Sequence, residues 1–215
     1  MGISKNGPNG QVTGRVGNLV YYMLNGQPVV RSIGKITKAA SVPQLSARKI
    51  TRISSKRLKM FKAFLKVGFS IEITGTTQNA FNMAVSVNKR AMMTGVYPNF
   101  QVDYSKLVLS RGILKPGEEL NVSATDEAIF FTWKAEEKMA WPESTDLVMM
   151  IAYYPELDRT IVKIGGNARN TGADQMPIPP SLKDAHSETY IAFVAADRLQ
   201  VSDSTYLGSL NLPIQ

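Results

Sequence analysis

Residues 14–32 read GRVGNLVYYMLNGQPVVRS, two runs of strand-forming residues around Asn25-Gly26. Asn-Gly between such runs is the strongest short-range signal for a tight β-hairpin. The reading places one strand over 14–24 and its partner over 27–33, with Pro28 near a strand start, where a missing N–H is tolerated. Over 19–24 the run LVYYML is apolar on both faces. Strands of that kind are covered on both sides, and an isolated hairpin is at best marginally stable in water. The expectation is a hairpin inserted among other elements or clasped by another chain, with Tyr21, Tyr22 and Arg31 meeting the partner.

Beyond the hairpin a polar, basic connection leads to Ser41 and Pro43, which make an entry to a helix over about 44–67. Ile50, Ile53, Met60, Phe61, Phe64 and Leu65 recur at helical spacing. Arg48, Lys49, Arg52, Lys56, Arg57, Lys59, Lys62 and Lys66 crowd the remaining surface, so the helix is amphipathic with a basic face. Gly68 closes it, Thr77 is placed to cap a second helix over roughly 78–94, and Gly95 ends that one.

From Tyr97 the pattern changes to short β-like runs broken by turn residues: 106–111, 119–123, 128–133, 146–154, 159–164, 188–195 and 199–207. Seven short strands at this spacing predict an antiparallel β-sandwich of immunoglobulin or fibronectin type, with Trp133 as the large residue of its core. Segment 166–187 holds three prolines and reads as a long loop that wraps an edge or binds a ligand. The fold class expected is therefore α+β: a basic hairpin-plus-helices segment over 1–96, then a sandwich domain over 97–215.

Charge follows the same division. Residues 1–71 carry thirteen Lys or Arg and no Asp or Glu, whereas 72–215 carry twelve against seventeen, a balance of −5 within a net charge of +8. Such asymmetry points to nucleic acid, an anionic surface, or docking of one copy's front on another's back. No apolar run approaches the roughly 20 residues of a membrane helix, and MGISKNGPNG lacks the apolar stretch of a secretory signal, so a cytoplasmic, membrane-free protein is expected. With no cysteine there is no disulfide, thiolate metal site or cysteine nucleophile.

Catalytic patterns are sparse. The one histidine, His186, excludes a His-pair metal site. Ser46 to Lys49 and Ser86 to Lys89 match a serine–lysine spacing without its companion motifs, as a Lys-rich helix does by chance. The glycine-rich stretch 165–172 lacks the Gly-Lys-Ser/Thr end of a phosphate loop. The neighbouring carboxylates Asp126 with Glu127 and Glu136 with Glu137 read as solvated turn charges. Asp197 and Asp203 belong to no ladder of oxygen ligands for calcium. No enzyme activity, metal or cofactor is expected.

Several pieces together resemble an uncharacterised Bacteroidota family known only as a domain of unknown function. They are the G-x-V-G-N-x-V-x-Y run at Gly14 to Tyr22, Val30-Arg31-Ser32, Pro43-x-Leu45-x-x-Arg48, Ala80-Phe81-Asn82 and YPNFQVDYSKLVLSRG at 97–112. Phe131-Thr132-Trp133, Asp146-Leu147-Val148, Tyr190 to Phe193 and Val201 to Gly208 complete the pattern, which departs at Leu24 to Gln27. The resemblance implies a lineage and a two-part layout but no activity. The residues themselves predict a non-enzymatic binding or assembly protein that associates with itself or another protein through the basic hairpin and helix. The alternative is a sequence-tolerant nucleic-acid binder using the 44–67 helix.

Overall fold

The computed structural model describes residues 2–4, 10–24, 26–35, 38–135 and 138–211. Asn25 of the hairpin turn and the pair Glu136 and Glu137 lie outside the described residues. The chain forms two compact units, Met1–Val42 and Pro43–Gln215. They part at this junction, not at the 96/97 boundary drawn from composition.

The N-terminal unit is a four-stranded antiparallel meander, β1 (Gly2–Ser4), β2 (Val12–Val16), β3 (Leu19–Leu24) and β4 (Gln27–Ser32), paired in chain order. The expected hairpin is its β3–β4 half, in register Tyr21 to Val30 and Leu24 to Gln27. The run 14–24 is two strands rather than one, because Gly17 turns the chain with φ +57° and joins Val16 to Leu19 across a second two-residue turn.

The second unit begins with helices. α1 (Val42–Leu58) passes through a 3₁₀ turn at Lys59–Phe61 into α2 (Lys62–Gly68), so the single helix expected is interrupted by that turn. α3 (Ala80–Ala91) is capped by the Asn79 side chain, which accepts from the Asn82 N–H at 2.8 Å; the cap is Asn79 and not Thr77. A hairpin follows, β5 (Met93–Val96) with β6 (Asn99–Val102).

Seven further strands are β7 (Asn121–Ala124), β8 (Ala128–Thr132), β9 (Leu147–Tyr154), β10 (Arg159–Ala168), β11 (Ala173–Pro177), β12 (Ser187–Val194) and β13 (Thr205–Leu210). They form a four-stranded sheet in the order β10-β9-β12-β13 and a three-stranded sheet in the order β11-β8-β7. All pairings within the two sheets are antiparallel.

Alternation along β9 and β12 decides the layering. Val148, Met150, Ala152 and Tyr154 of β9, with Ile191 and Phe193 of β12, pack on Ile129 and Phe131 of β8 and on Trp133 just beyond it. Met149, Ile151 and Tyr153, with Tyr190, Ala192 and Val194, face the other way onto Leu58, Phe61, Phe64, Leu65 and Phe69 of the helices. The larger sheet is thus buried on both faces, as near-continuous apolar strands require. This is why the helices belong with the strands that follow and not with the hairpin.

Two expected strands are placed differently. Residues 106–111 form no strand, because their backbone is satisfied by side chains: Asn88 Nδ2 donates to the Val108 carbonyl, Asn88 Oδ1 accepts from Val108 N–H, and Ser204 Oγ accepts from Leu109 N–H. The 199–207 run pairs only at isolated bridges through Val201 and Ser202 before β13 begins at Thr205. The long segment 166–187 contains β11, whose inward-facing Asp174 broke the apolar alternation. That buried carboxylate accepts from Lys163 Nζ at 2.6 Å, Gln175 N–H at 2.7 Å and Asn167 N–H at 2.8 Å. Lys163 and Asn167 of β10 also donate to the Gln175 and Ala173 carbonyls, covering the edge that β11 leaves unpaired.

Candidate functional site

Directly paired residues of an antiparallel sheet share a face, so the register of the N-terminal sheet sorts its side chains. Val12, Val16, Leu19, Tyr21, Met23 and Val30 fall on one face, with Gly14 and Pro28 between them. Among the described residues no charged one stands on that face. Arg15, Val20, Tyr22, Val29 and Arg31 fall on the opposite face. The three residues expected to meet a partner are therefore divided: Tyr21 lies on the uncharged face, Tyr22 and Arg31 on the cationic one.

Among the described residues of Met1–Val42 none is buried, and Val16, Met23 and Val30 are 48%, 44% and 51% exposed. The sequence reading of strands apolar on both faces is correct in composition, but Tyr21 and Tyr22 are only half-buried. The uncharged face itself escaped that reading. Its signal was the period of two carried across the Asn25-Gly26 turn, which places Val30 beside Tyr21.

The basic helix is a second surface. Arg48, Lys49, Arg52, Lys56, Lys59, Lys62 and Lys66 are exposed. Arg57 is turned inward instead: its Nη1 donates to Tyr153 Oη at 2.9 Å and to Asp158 Oδ1 at 2.6 Å. Lys56 Nζ also lies 3.5 Å from Asp158. Although partial burial opposes it, the Tyr153 hydrogen bond and the two cations hold the Asp158 carboxyl below its usual range. Arg57 and Lys56 thus anchor α1 to the β9–β10 turn. Among the described residues, Arg48, Lys49, Arg52, Lys59, Lys62 and Lys66 have no carboxylate at ion-pair distance.

The interior offers polar clusters that are structural in geometry. Glu188 is buried in β12; its carboxylate accepts from Tyr206 Oη at 2.6 Å and Ser209 Oγ at 3.1 Å, and His186 Nε2 lies 3.1 Å from its other oxygen. The serine is bonded to the carboxylate and not to the histidine, so the three do not form a nucleophile–base relay. Arg169, also buried, lies 4.0 Å over the Phe193 ring and donates to the Lys115 carbonyl at 2.7 Å, with Asp146 at 3.4 Å. Trp133 donates its indole N–H to the Arg169 carbonyl at 2.6 Å and meets Phe193 edge-on at 5.5 Å. Among the described residues no three His, Asp or Glu side chains converge as a metal-ligating group. Among them, too, no helix is long and apolar enough to cross a membrane.

Compared with known proteins, residues 10–208 match the model of a family of unknown function, DUF6266. The chain belongs to this family. No curated protein and no solved structure matches it. The DUF6266 span takes in β2, β3 and β4 together with the helices and the strands from β5 through β12, so three of the four strands of the N-terminal sheet lie inside the match, and β1 (Gly2–Ser4) precedes it.

Proposed function

We propose that this chain is a non-enzymatic assembly protein that docks through its N-terminal sheet, with the helix-backed sheet pair as its folded body. One observation carries the reading: a four-stranded sheet rich in Val, Leu, Tyr and Met has no buried residue among those described. A contiguous apolar surface of that kind on a soluble chain marks an interaction site. The body reads as a sandwich of fibronectin type III kind. In chain order its seven strands pair first-second-fifth and fourth-third-sixth-seventh, and the larger sheet, usually open in such domains, is backed by helices.

Light scattering on the full chain tests the reading. The expected mass is a multiple of 23.6 kDa, falling to the single-chain value when Tyr21 and Tyr22 are both replaced by Asp, with unchanged circular dichroism of the body. A folded oligomer of unchanged size after that double substitution counts against it.

A second reading, sequence-tolerant binding of nucleic acid, is favoured by the six cations of the helix that lack a carboxylate partner. Neutralising four to six phosphates gives a log–log salt slope of roughly −3 to −5. Reversing Arg52, Lys59, Lys62 and Lys66 to Glu should abolish it. Binding of an oligonucleotide that ignores salt removes this reading.

A further inference from the structure

We infer that the partner of the N-terminal sheet is a second copy of the same sheet, packed through the face that carries Val16, Leu19, Tyr21, Met23 and Val30. The inference rests on the assembly reading above and names its interface.

Charge argues for this face. The unit has five cations, Lys5, Arg15, Arg31, Lys35 and Lys38, and no carboxylate, so two copies brought together at random repel one another. Arg15 and Arg31 pair with Val20 on both sides of β3 and stand on the opposite face. When two copies pack through the uncharged face, these arginines point outward on both sides of the pair. Sheets stack about 10 Å apart and salt screens charges over about 8 Å, so the remaining repulsion is small.

Shape and symmetry agree. A twisted antiparallel sheet buries an apolar face most simply against another such sheet. A self-complementary patch related by a two-fold axis closes at two copies and leaves no unsatisfied contact. Twenty strand residues at about 3.4 Å rise and 4.8 Å strand spacing give roughly 330 Å² of flat face per copy. With side-chain relief the pair covers roughly 800–1,000 Å², below the roughly 1,200 Å² at which stable specific interfaces begin and in the range of weak, transient ones, so the dimer should be reversible. Docking of the basic front on the acidic back of the next copy has a different signature, since it grows into rings or filaments and weakens in salt.

The absence of cysteine from the chain gives a direct test. Val30→Cys places a thiol on the uncharged face, and Arg31→Cys places one on the other face of the same strand. Treated with a short bis-maleimide that spans the roughly 10 Å between stacked sheets, too far for a direct disulfide, Val30→Cys should form a covalent dimer at protein concentrations where Arg31→Cys does not. Sedimentation of the unmodified chain from 1 to 200 µM should show a monomer–dimer equilibrium that is unchanged or tightened between 50 mM and 500 mM NaCl. Leu19→Lys should abolish it and Arg31→Glu should not. An oligomer that survives Leu19→Lys and dissolves in salt would overturn the face-to-face pairing and leave the assembly reading standing. A chain that is monomeric throughout would overturn both self-pairing and self-assembly.

Discussion

The Arg57 guanidinium donates to the Asp158 carboxylate at 2.6 Å and, from the same nitrogen, to the Tyr153 hydroxyl at 2.9 Å. Tyr153 in turn donates to Asp158 at 3.1 Å, closing a triangle between helix and sheet. Hydrogen bonds to charged groups are worth more than an exposed ion pair alone. Arg57→Ala should therefore lower stability by about 1–2 kcal/mol, read from urea unfolding. Lys62→Ala, on the exposed face of the same helical layer, should change it by less than about 0.5 kcal/mol. Equal effects would show that the triangle contributes nothing.

Tyrosines give the fold an alkaline limit. Burial pushes the phenols of Tyr104, Tyr153, Tyr154 and Tyr190 upward, and burial with the Glu188 hydrogen bond pushes Tyr206 up to about 12. A group whose pKa is higher folded than unfolded holds its proton longer in the native state, so the unfolded state gains stability as pH rises. The contribution is intact below pH of about 10, the ordinary phenol value, and for Tyr206 it is lost between there and about 12. Phenolate absorbance should thus rise together with loss of the circular dichroism signal. A native signal that persists after most of the eight tyrosines have ionised contradicts the prediction.

Arg169 and Asp146 are a desolvated pair, with side chains each 4% exposed. Burial draws the Arg169 pKa down and pushes the Asp146 carboxyl up, although each charge opposes the effect on the other. Removing one member strands the other. Arg169→Met should cost roughly 3–5 kcal/mol and change the fluorescence of Trp133, whose indole donates to the Arg169 carbonyl. Adding Asp146→Asn should recover part of the loss; additive costs would argue against a coupled pair.

Gly112 is fixed by space rather than by dihedral angle. A Cβ there would collide with the backbone carbonyl of Val201, where Leu114 N–H also bonds at 3.1 Å. Gly112→Ala should cost about 3 kcal/mol, whereas Gly34→Ala, with nothing within 4 Å, should cost nothing measurable by thermal unfolding. A harmless Gly112→Ala would mean that the 112–114 crossing yields easily.

What the sequence made legible was what periodicity writes: the Asn-Gly hairpin, the amphipathic helix, and the β-runs around Trp133 and Tyr153. Elements held by side-chain chemistry left a weaker trace. Asn88 and Ser204 take the hydrogen bonds that a strand at 106–111 would have used, and nothing local announces it. Strand β11 was hidden by a buried Asp174 whose partners come from β10. At the N-terminal sheet, composition alone suggests Tyr21, Tyr22 and Arg31 together, while only the pairing register separates the first from the other two. Arg57 looks like its neighbours in sequence, and its inward turn depends on Asp158, 101 residues away.

Strands β9 and β12 serve two cores at once, and this makes the body indivisible. Their amide protons should be the slowest in the chain to exchange with deuterated water, released only when everything opens together. A fragment cut free at residue 97 would lay Met149, Ile151, Tyr153, Tyr190 and Ala192 bare as a greasy plate. The helices are therefore not a detachable arm on a transplantable module; they are the lining without which the module has no reason to remain in solution.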